Sequence, residues 1–142
     1  KTDTLAEIIL SEKYNVRKYY GDPAGMQAQG QSGLGDIEIF RRKGITVHTK
    51  RDKVSRNIAS GISHVRGFIE NAAGERFLHI NEKCTQIMKD LENYRYPEVK
   101  EGADLKPEPV KDGYHDHGCD MIRYFFTNQF PIKNREFKMR TR

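Results

Sequence analysis

The chain has 142 residues, of which 36% are hydrophobic, so it is long enough for one domain with a single modest core and too short for two. No apolar run approaches the roughly 18 residues that a membrane span needs, and no basic-then-apolar leader opens the chain. Two cysteines are too few for a disulfide framework. We therefore expect a soluble cytoplasmic protein, whose net charge of +5 is compatible with a polyanionic partner.

The first part of the chain is predicted to alternate helices with short strands. Residues 4–14 combine a capping-box spacing with apolar residues at helical intervals, which predicts a helix. A β-favouring run over 16–20 stops at a Gly-Asp-Pro turn signal, so Asp22 is expected at the C-terminal end of a strand. Residues 24–35 are rich in Gly, Gln and Ser and predict a loop, and 36–43 predict a second helix.

The rest of the chain continues this alternation. The predicted elements are a strand over 45–48, a helix over 53–72, a strand over 76–80, a helix over 82–94, a charged loop over 97–113, a helix over 114–126 and a basic tail over 127–142. Strands separated by helices predict an α/β sheet, which three candidate strands would leave thin. Cys84 and Cys119 fall on the apolar stripes of the last two helices, so we expect both in the core.

The last helix carries a pair of carboxylates. Asp116 and Asp120 are four residues apart and share a helical face, which His117 borders. Neighbouring carboxylates repel each other, and a hard divalent cation such as Mg²⁺, which takes oxygen ligands, removes that cost. Arg123 supports the alternative of an ordinary solvated ion pair with Asp120.

Asp22 is a third candidate carboxylate. Its position before Pro23 also fits an Asx turn, in which the side chain only caps the backbone. A strand-end carboxylate and a helix with carboxylates on one face are, however, the parts of a two-metal phosphodiester hydrolase.

Four segments then occur in an order that matches a known family. They are Tyr20-Gly-Asp-Pro23, Lys53 with Ser60-Gly-Ile-Ser-His-Val65, Cys84-Thr85 leading to Leu91-Glu-Asn-Tyr-Arg-Tyr96, and Asp116-His-Gly-Cys-Asp-Met-Ile-Arg-Tyr124. Together they resemble the nuclease domain of the large terminase subunit of tailed bacteriophages. The last segment is similar to the family's Asp-His-x-x-Asp-Ala-x-Arg-Tyr signature, with Met121 where a small residue is common. The likeness covers the chain from about residue 4 to 126.

This resemblance implies a ribonuclease H-like mixed sheet flanked by helices, here without its N-terminal strands, so that residues 1–142 form a single incomplete nuclease domain. It also implies that Asp22 and Asp120 are the second and third catalytic carboxylates, that Asp116 is a neighbouring candidate ligand, and that His117 lines the site. The implied cofactors are two Mg²⁺ or Mn²⁺ ions. The first catalytic Asp of the family has no counterpart in residues 1–15, so we expect weak metal binding and poor cleavage by this chain alone.

The activity implied by the resemblance is cutting of concatemeric double-stranded viral DNA in the host cytoplasm, at the procapsid portal. The implied partners are the ATPase domain of the same polypeptide, the portal and the small terminase subunit. Lys50, Arg51 and Lys53 form the densest basic cluster of the first half and are expected to contact the DNA backbone. Two alternatives stay open: another ribonuclease H-like nuclease of the resolvase or transposase type, and a catalytically silent module for DNA binding or motor docking.

Overall fold

Helices predominate in the computed structural model, which describes residues 2–12, 14–28, 33–98 and 108–132, leaving out the side chain of residue 54. In chain order the elements are α1 (Thr2–Ser11), β1 (Tyr19–Tyr20), a 3₁₀ turn (Pro23–Met26), α2 (Asp36–Arg42), β2 (Val47–His48), α3 (Lys53–Arg56), α4 (Ile58–Ile69), α5 (Thr85–Asn93) and α6 (Asp116–Gln129). None of the helices in these ranges has the length and apolar character needed to cross a membrane.

The two short strands lie side by side and parallel. Tyr19 is opposite Val47 and Tyr20 is opposite His48. Gly21 extends the pairing, since its amide donates to the His48 carbonyl at 3.1 Å. A Cβ at Gly21 would lie 2.8 Å from Val47 Cγ1, so a larger residue at position 21 would require the Val47 side chain to move. The predicted α/β class is therefore confirmed in its coarse form, as a helix-rich chain with a small parallel sheet connected through α2.

The strand predicted over 76–80 was wrong, because the structure has no strand there. The amides of Phe77 and Leu78 both donate to the carbonyl of Phe68, each at 2.8 Å. Phe68 lies in the last turn of α4, where carbonyls have no partner within the helix. These two amides, which a strand could use for pairing, instead bind the end of α4. The sheet in the described ranges therefore has two strands.

The helix predicted over 53–72 is divided in two at Asn57. This residue has extended backbone angles, and its side-chain oxygen accepts a hydrogen bond from the Ser60 amide at 2.8 Å. Asparagine favours helix N-caps over helix interiors because its side chain competes for backbone amides. Apolar periodicity alone does not reveal such a break.

The core lies where α6 packs against both α4 and α5. Val65 of α4 and Ile122 and Phe126 of α6 are buried together, and four partly buried side chains pack around them: Phe68, Leu78, Ile87 and Leu91. The strand β1 reaches the same helix through Tyr20, whose ring meets Phe125 edge-on at 5.8 Å. This contact brings the C-terminal end of β1 beside α6.

Helix α6 also continues beyond the predicted boundary at residue 126. It ends at Gln129, and Thr127 is only 1% exposed, so the first residues of the predicted tail belong to the packed helix. The Tyr20 hydroxyl hydrogen-bonds to the Gln129 side chain, which fixes the end of α6 to β1. Residues 133–142 of the predicted basic tail lie outside the described residues.

Two glycines of α4 allow a test of the α4–α6 packing. A Cβ at Gly61 would lie 2.6 Å from Cδ and 2.8 Å from Cγ of Arg123, whereas a Cβ at Gly67 would meet no atom within 4 Å. We expect Gly67→Ala to raise the free energy of unfolding by about 0.5–1 kcal/mol through helix propensity. Gly61→Ala should lower it by about 1–3 kcal/mol through overpacking. Urea denaturation measures both, and equal stabilisation by the two variants would contradict the close approach of α6.

Candidate functional site

Asp22 lies at the C-terminal end of β1, as predicted. Its backbone is extended, with φ of −67° and ψ of 130°, and Pro23 begins the 3₁₀ turn that follows. One carboxylate oxygen, Oδ1, accepts a hydrogen bond from the Ala24 amide at 2.8 Å. The Asx turn considered as an alternative is therefore present. It also holds the exposed carboxylate in place at the edge of the sheet.

Tyr124 of α6 lies close to Asp22, and both side chains line the same cavity. The Tyr124 side chain is half-buried, and burial raises the pKa of its hydroxyl; Arg123 lowers this pKa, while the nearby Asp22 carboxylate raises it. The Arg123 guanidinium carbon lies 4.5 Å from the centroid of the Tyr124 ring, a cation–π arrangement. Asp22 is thus held by the turn that follows it and lies beside Tyr124 of the helix.

Asp120 forms an ion pair with Arg123. Asp120 Oδ1 accepts from Arg123 Nη2 at 2.7 Å and from Nε at 3.2 Å. The Arg123 side chain is 5% exposed and that of Asp120 is 20% exposed. Burial lowers the pKa of Arg123, but Asp120 more than compensates, so the net shift is upward. The predicted ion pair of Asp120 with Arg123 is therefore present, but Arg123 is buried against Gly61 of α4 and Asp120 is partly buried, so the pair is not an ordinary solvated one.

Asp116 is buried at the start of α6, with 7% of its surface exposed. Its Oδ1 atom is buried and has no hydrogen-bond partner within the part of the chain that the structure describes. His117, the next residue, is exposed, so the two neighbours face different surroundings. A buried carboxylate oxygen without a partner is uncommon and is usually satisfied by a water or an ion.

Asp90 of α5 is a buried acid that the sequence analysis did not identify. It is 3% exposed, and its Oδ1 accepts from the Gln86 side chain at 2.7 Å. Its other oxygen occupies the space that a Cβ at Gly118 would fill, so α5 and α6 meet here through a glycine. Asp90 follows Ile87 by three residues and shares its inward face, but charged residues are seldom buried and are normally assigned to the surface.

The two cysteines differ in their surroundings. Cys119 is buried, as predicted, and burial together with the carboxylates of Asp90, Asp120 and Asp116 raises its pKa from 9.0 to about 11. The prediction for Cys84 was wrong: this residue is exposed, because α5 begins only after it and places it at the N-cap.

This difference predicts selective alkylation. At pH 8 in the folded protein, iodoacetamide should modify Cys84 at least about 100-fold faster than Cys119, because the thiolate is the reacting form. Mass spectrometry of peptides from timed samples gives both rates. In urea the two cysteines should react at similar rates, which serves as the control. Equal rates in the folded protein would contradict the burial of Cys119.

An open pocket of about 420 Å³ lies between the 3₁₀ turn, α3 and α6. The charged and aromatic side chains among those that line it are Asp22, Arg51, Arg56, Lys111, Arg123 and Tyr124. Asp116 and Asp120 do not line this pocket, so the predicted site residues are divided between the pocket and the helix interfaces. Across the described ranges, no three or more His, Cys, Asp or Glu side chains form a group that could hold a metal ion.

The predicted basic cluster is divided as well. Arg51 lines the pocket beside Asp22, with its guanidinium against the Met26 sulfur at 2.6 and 3.1 Å. Lys50 lines a separate polar hollow next to β1, and Lys53 lines neither. Arg56 and Lys111, which join Arg51 in the pocket, are isolated cations in a densely charged sequence, and no local pattern distinguishes them.

No family model, curated protein or solved structure matches this chain.

Proposed function

We propose that this chain is a nuclease domain of ribonuclease H-like type from the large terminase subunit of a tailed bacteriophage, a metal-dependent endonuclease that cuts concatemeric double-stranded DNA. The observation that carries the proposal is the position of Asp22. It stands just past the carboxyl end of a parallel strand, close to Tyr124 of α6, and it lines a pocket together with several cations. Ligands of α/β proteins bind at this edge of the sheet, and phosphates are bound by Arg and Lys.

Carboxylate oxygens are the type of ligand that Mg²⁺ and Mn²⁺ take, although the three acids are not gathered in one cluster of the described residues. Asp22 offers an exposed carboxylate, and the buried Asp116 oxygen without a described partner is an atom that an ion or water would satisfy. Asp22, with Asp116 and Asp120, would hold the ions, which supply charge neutralisation and an activated water in phosphodiester hydrolysis.

The remaining groups would position these acids and the DNA. Tyr124 lies beside the Asp22 carboxylate, and Arg123 forms an ion pair with Asp120. His117, exposed at the first turn of α6, would orient a water or ligand. Lys50, Arg51 and Lys53 would contact the backbone. As part of a terminase, the domain would work beside an ATPase domain of the same polypeptide, a portal and a small subunit. It would act at the procapsid in the host cytoplasm.

A second candidate is a catalytically silent module that binds DNA or docks onto the packaging motor. The ion pair of Asp120 favours this candidate. Arg123 donates two hydrogen bonds to Asp120 Oδ1, and an oxygen engaged in this way is less available to a metal ion. Such a module would bind DNA in a salt-sensitive way without any response to divalent metal.

Nicking of supercoiled plasmid separates the two candidates. We expect slow nicking in Mn²⁺ by the 142-residue chain and a rise in Tm on adding Mn²⁺. Asp22→Asn should lower the nicking rate by at least about 100-fold and abolish the Tm shift. Asp3→Asn, which removes an exposed carboxylate on α1, should leave both unchanged. Nicking that persists in Asp22→Asn, or a wild-type chain with neither nicking nor a Tm shift, would refute the nuclease proposal.

A further inference from the structure

The pocket beside Asp22 holds more positive charge than its surroundings balance. Arg51, Arg56 and Lys111 line it, and none of them takes part in the ion pairs of the residues that the structure describes. Arg123 also reaches the pocket, but its charge is balanced by Asp120. The pocket therefore sets three unbalanced cations against the single carboxylate of Asp22.

All three cations are exposed and line one open cavity. The three cations repel one another, and they come from three separate segments: the loop after β2, the helix α3 and the segment before α6. Arg51 is held toward the pocket by the Met26 sulfur, and the Gln27 side chain on the rim offers further amide donors. An anion bound between the cations would relieve the repulsion and engage several donors at once.

We propose that this pocket binds one phosphate group of the DNA backbone through Arg51, Arg56 and Lys111, independently of divalent metal. The choice of DNA as the source of the phosphate rests on the proposed function. Guanidinium groups match phosphate oxygens in a bidentate manner, and Lys adds a point charge. The pocket is open on one side, which suits a phosphate within a continuous strand better than a small molecule that must be enclosed.

This binding would place the DNA strand beside Asp22. The Asp22 side chain lines the same pocket, and its Oδ1 atom is occupied by the Ala24 amide. Arg56 and Lys111 are thus substrate-binding residues that the sequence pattern did not indicate. Lys53, which was predicted to bind DNA, lies outside the pocket and is expected to contribute less.

The test measures binding to a short fluorescein-labelled duplex by anisotropy, in EDTA, over a series of KCl concentrations with the full chain. The double variant Arg56→Gln/Lys111→Gln should bind at least about 10-fold more weakly at low salt. Its log K against log [salt] slope should fall by about 1, the value for one phosphate contact. The control Lys83→Gln/Lys89→Gln removes the same charge from exposed sites near α5 and should leave the slope unchanged. Equal weakening by the two double variants would overturn the proposal.

A second variant and a second probe complete the test. Gln27→Glu adds a negative charge at the rim without removing a cation, and should also weaken duplex binding by about 10-fold; unchanged binding would count against the pocket. Thymidine 5′-monophosphate should compete no better than inorganic phosphate, whereas competition at micromolar concentration would overturn DNA as the occupant. Binding is measured in EDTA and nicking is measured in Mn²⁺, so the two proposals can fail separately. Pocket-dependent binding in EDTA without any nicking in Mn²⁺ would refute only the nuclease. Asp22-dependent nicking with equal binding by both double variants would refute only the pocket.

Discussion

Replacing Phe126 by Ala is expected to lower the free energy of unfolding by about 3–5 kcal/mol. Phe126 is 6% exposed and lies in the cluster that joins α6 to α4 and α5. Its ring packs against Phe68 at a centroid distance of 4.4 Å and against Phe130 at 5.8 Å. The substitution removes these contacts and leaves a cavity between helices that are fixed at several other points. Against a typical stability of about 5–15 kcal/mol for a domain, this loss would leave the chain marginally folded.

Phe125 provides the matched control. It is adjacent in the sequence and identical in chemistry, but 42% exposed. Phe125→Ala should cost about 1–2 kcal/mol, because its ring is only partly buried, against Tyr20 and its neighbours. Urea denaturation monitored by circular dichroism measures both variants. Similar losses for the two substitutions would contradict the burial of Phe126 in the core and the exposure of Phe125.

Arg123→Met is expected to cost about 3 kcal/mol, because it removes the buried cation of an ion pair and leaves the partly buried Asp120 carboxylate without its partner. Met keeps most of the volume, so the loss reports the charge more than the packing. The double variant Asp120→Asn/Arg123→Met should recover more than half of the loss, since it removes the uncompensated charge as well. The effect on DNA cleavage can be measured in the same variants.

Arg41→Met is the control for this pair. Arg41 forms an i,i+3 ion pair with Glu38 on α2, with its side chain 69% exposed, and its replacement should change stability little. Comparable denaturation midpoints for Arg123→Met and Arg41→Met would contradict the burial of the Asp120–Arg123 pair. If the double variant were less stable than Arg123→Met, the unpaired charge of Asp120 would not be the cause of the lost stability.

Some features of the site could be predicted from local sequence because local interactions produce them. The Gly-Asp-Pro turn after a β-favouring run places Asp22 at a strand end, whatever packs beside it. The spacing of Asp116, Asp120 and Arg123 follows from helix geometry, and it identified the Asp120–Arg123 pair. The apolar stripe likewise predicted the burial of Cys119.

Features that depend on a distant partner were missed or wrong. The segment 76–80 has a strand-like composition, but its amides bind the end of α4, and a strand requires a neighbour with free backbone groups. Asp90 is buried because Gly118, far away in the sequence, leaves room for its carboxylate. Arg56 and Lys111 line the same pocket as Arg51 because of the fold, which no local sequence pattern indicates.

The sequence by itself determined which residues of this protein carry charge at helical or strand-end positions, because turns, caps and helical spacing act within a few residues. It thereby determined Asp22 at the strand end and the acids of α6 on one helix. Only the tertiary structure decided what surrounds these groups: Asp22 lines a pocket with Tyr124 and three cations, Asp120 pairs with Arg123, and Asp116 is buried. The physical reason is that burial and electrostatic pairing depend on which surfaces pack together, and the packing of α6 between α4 and α5 is set by contacts across the whole chain.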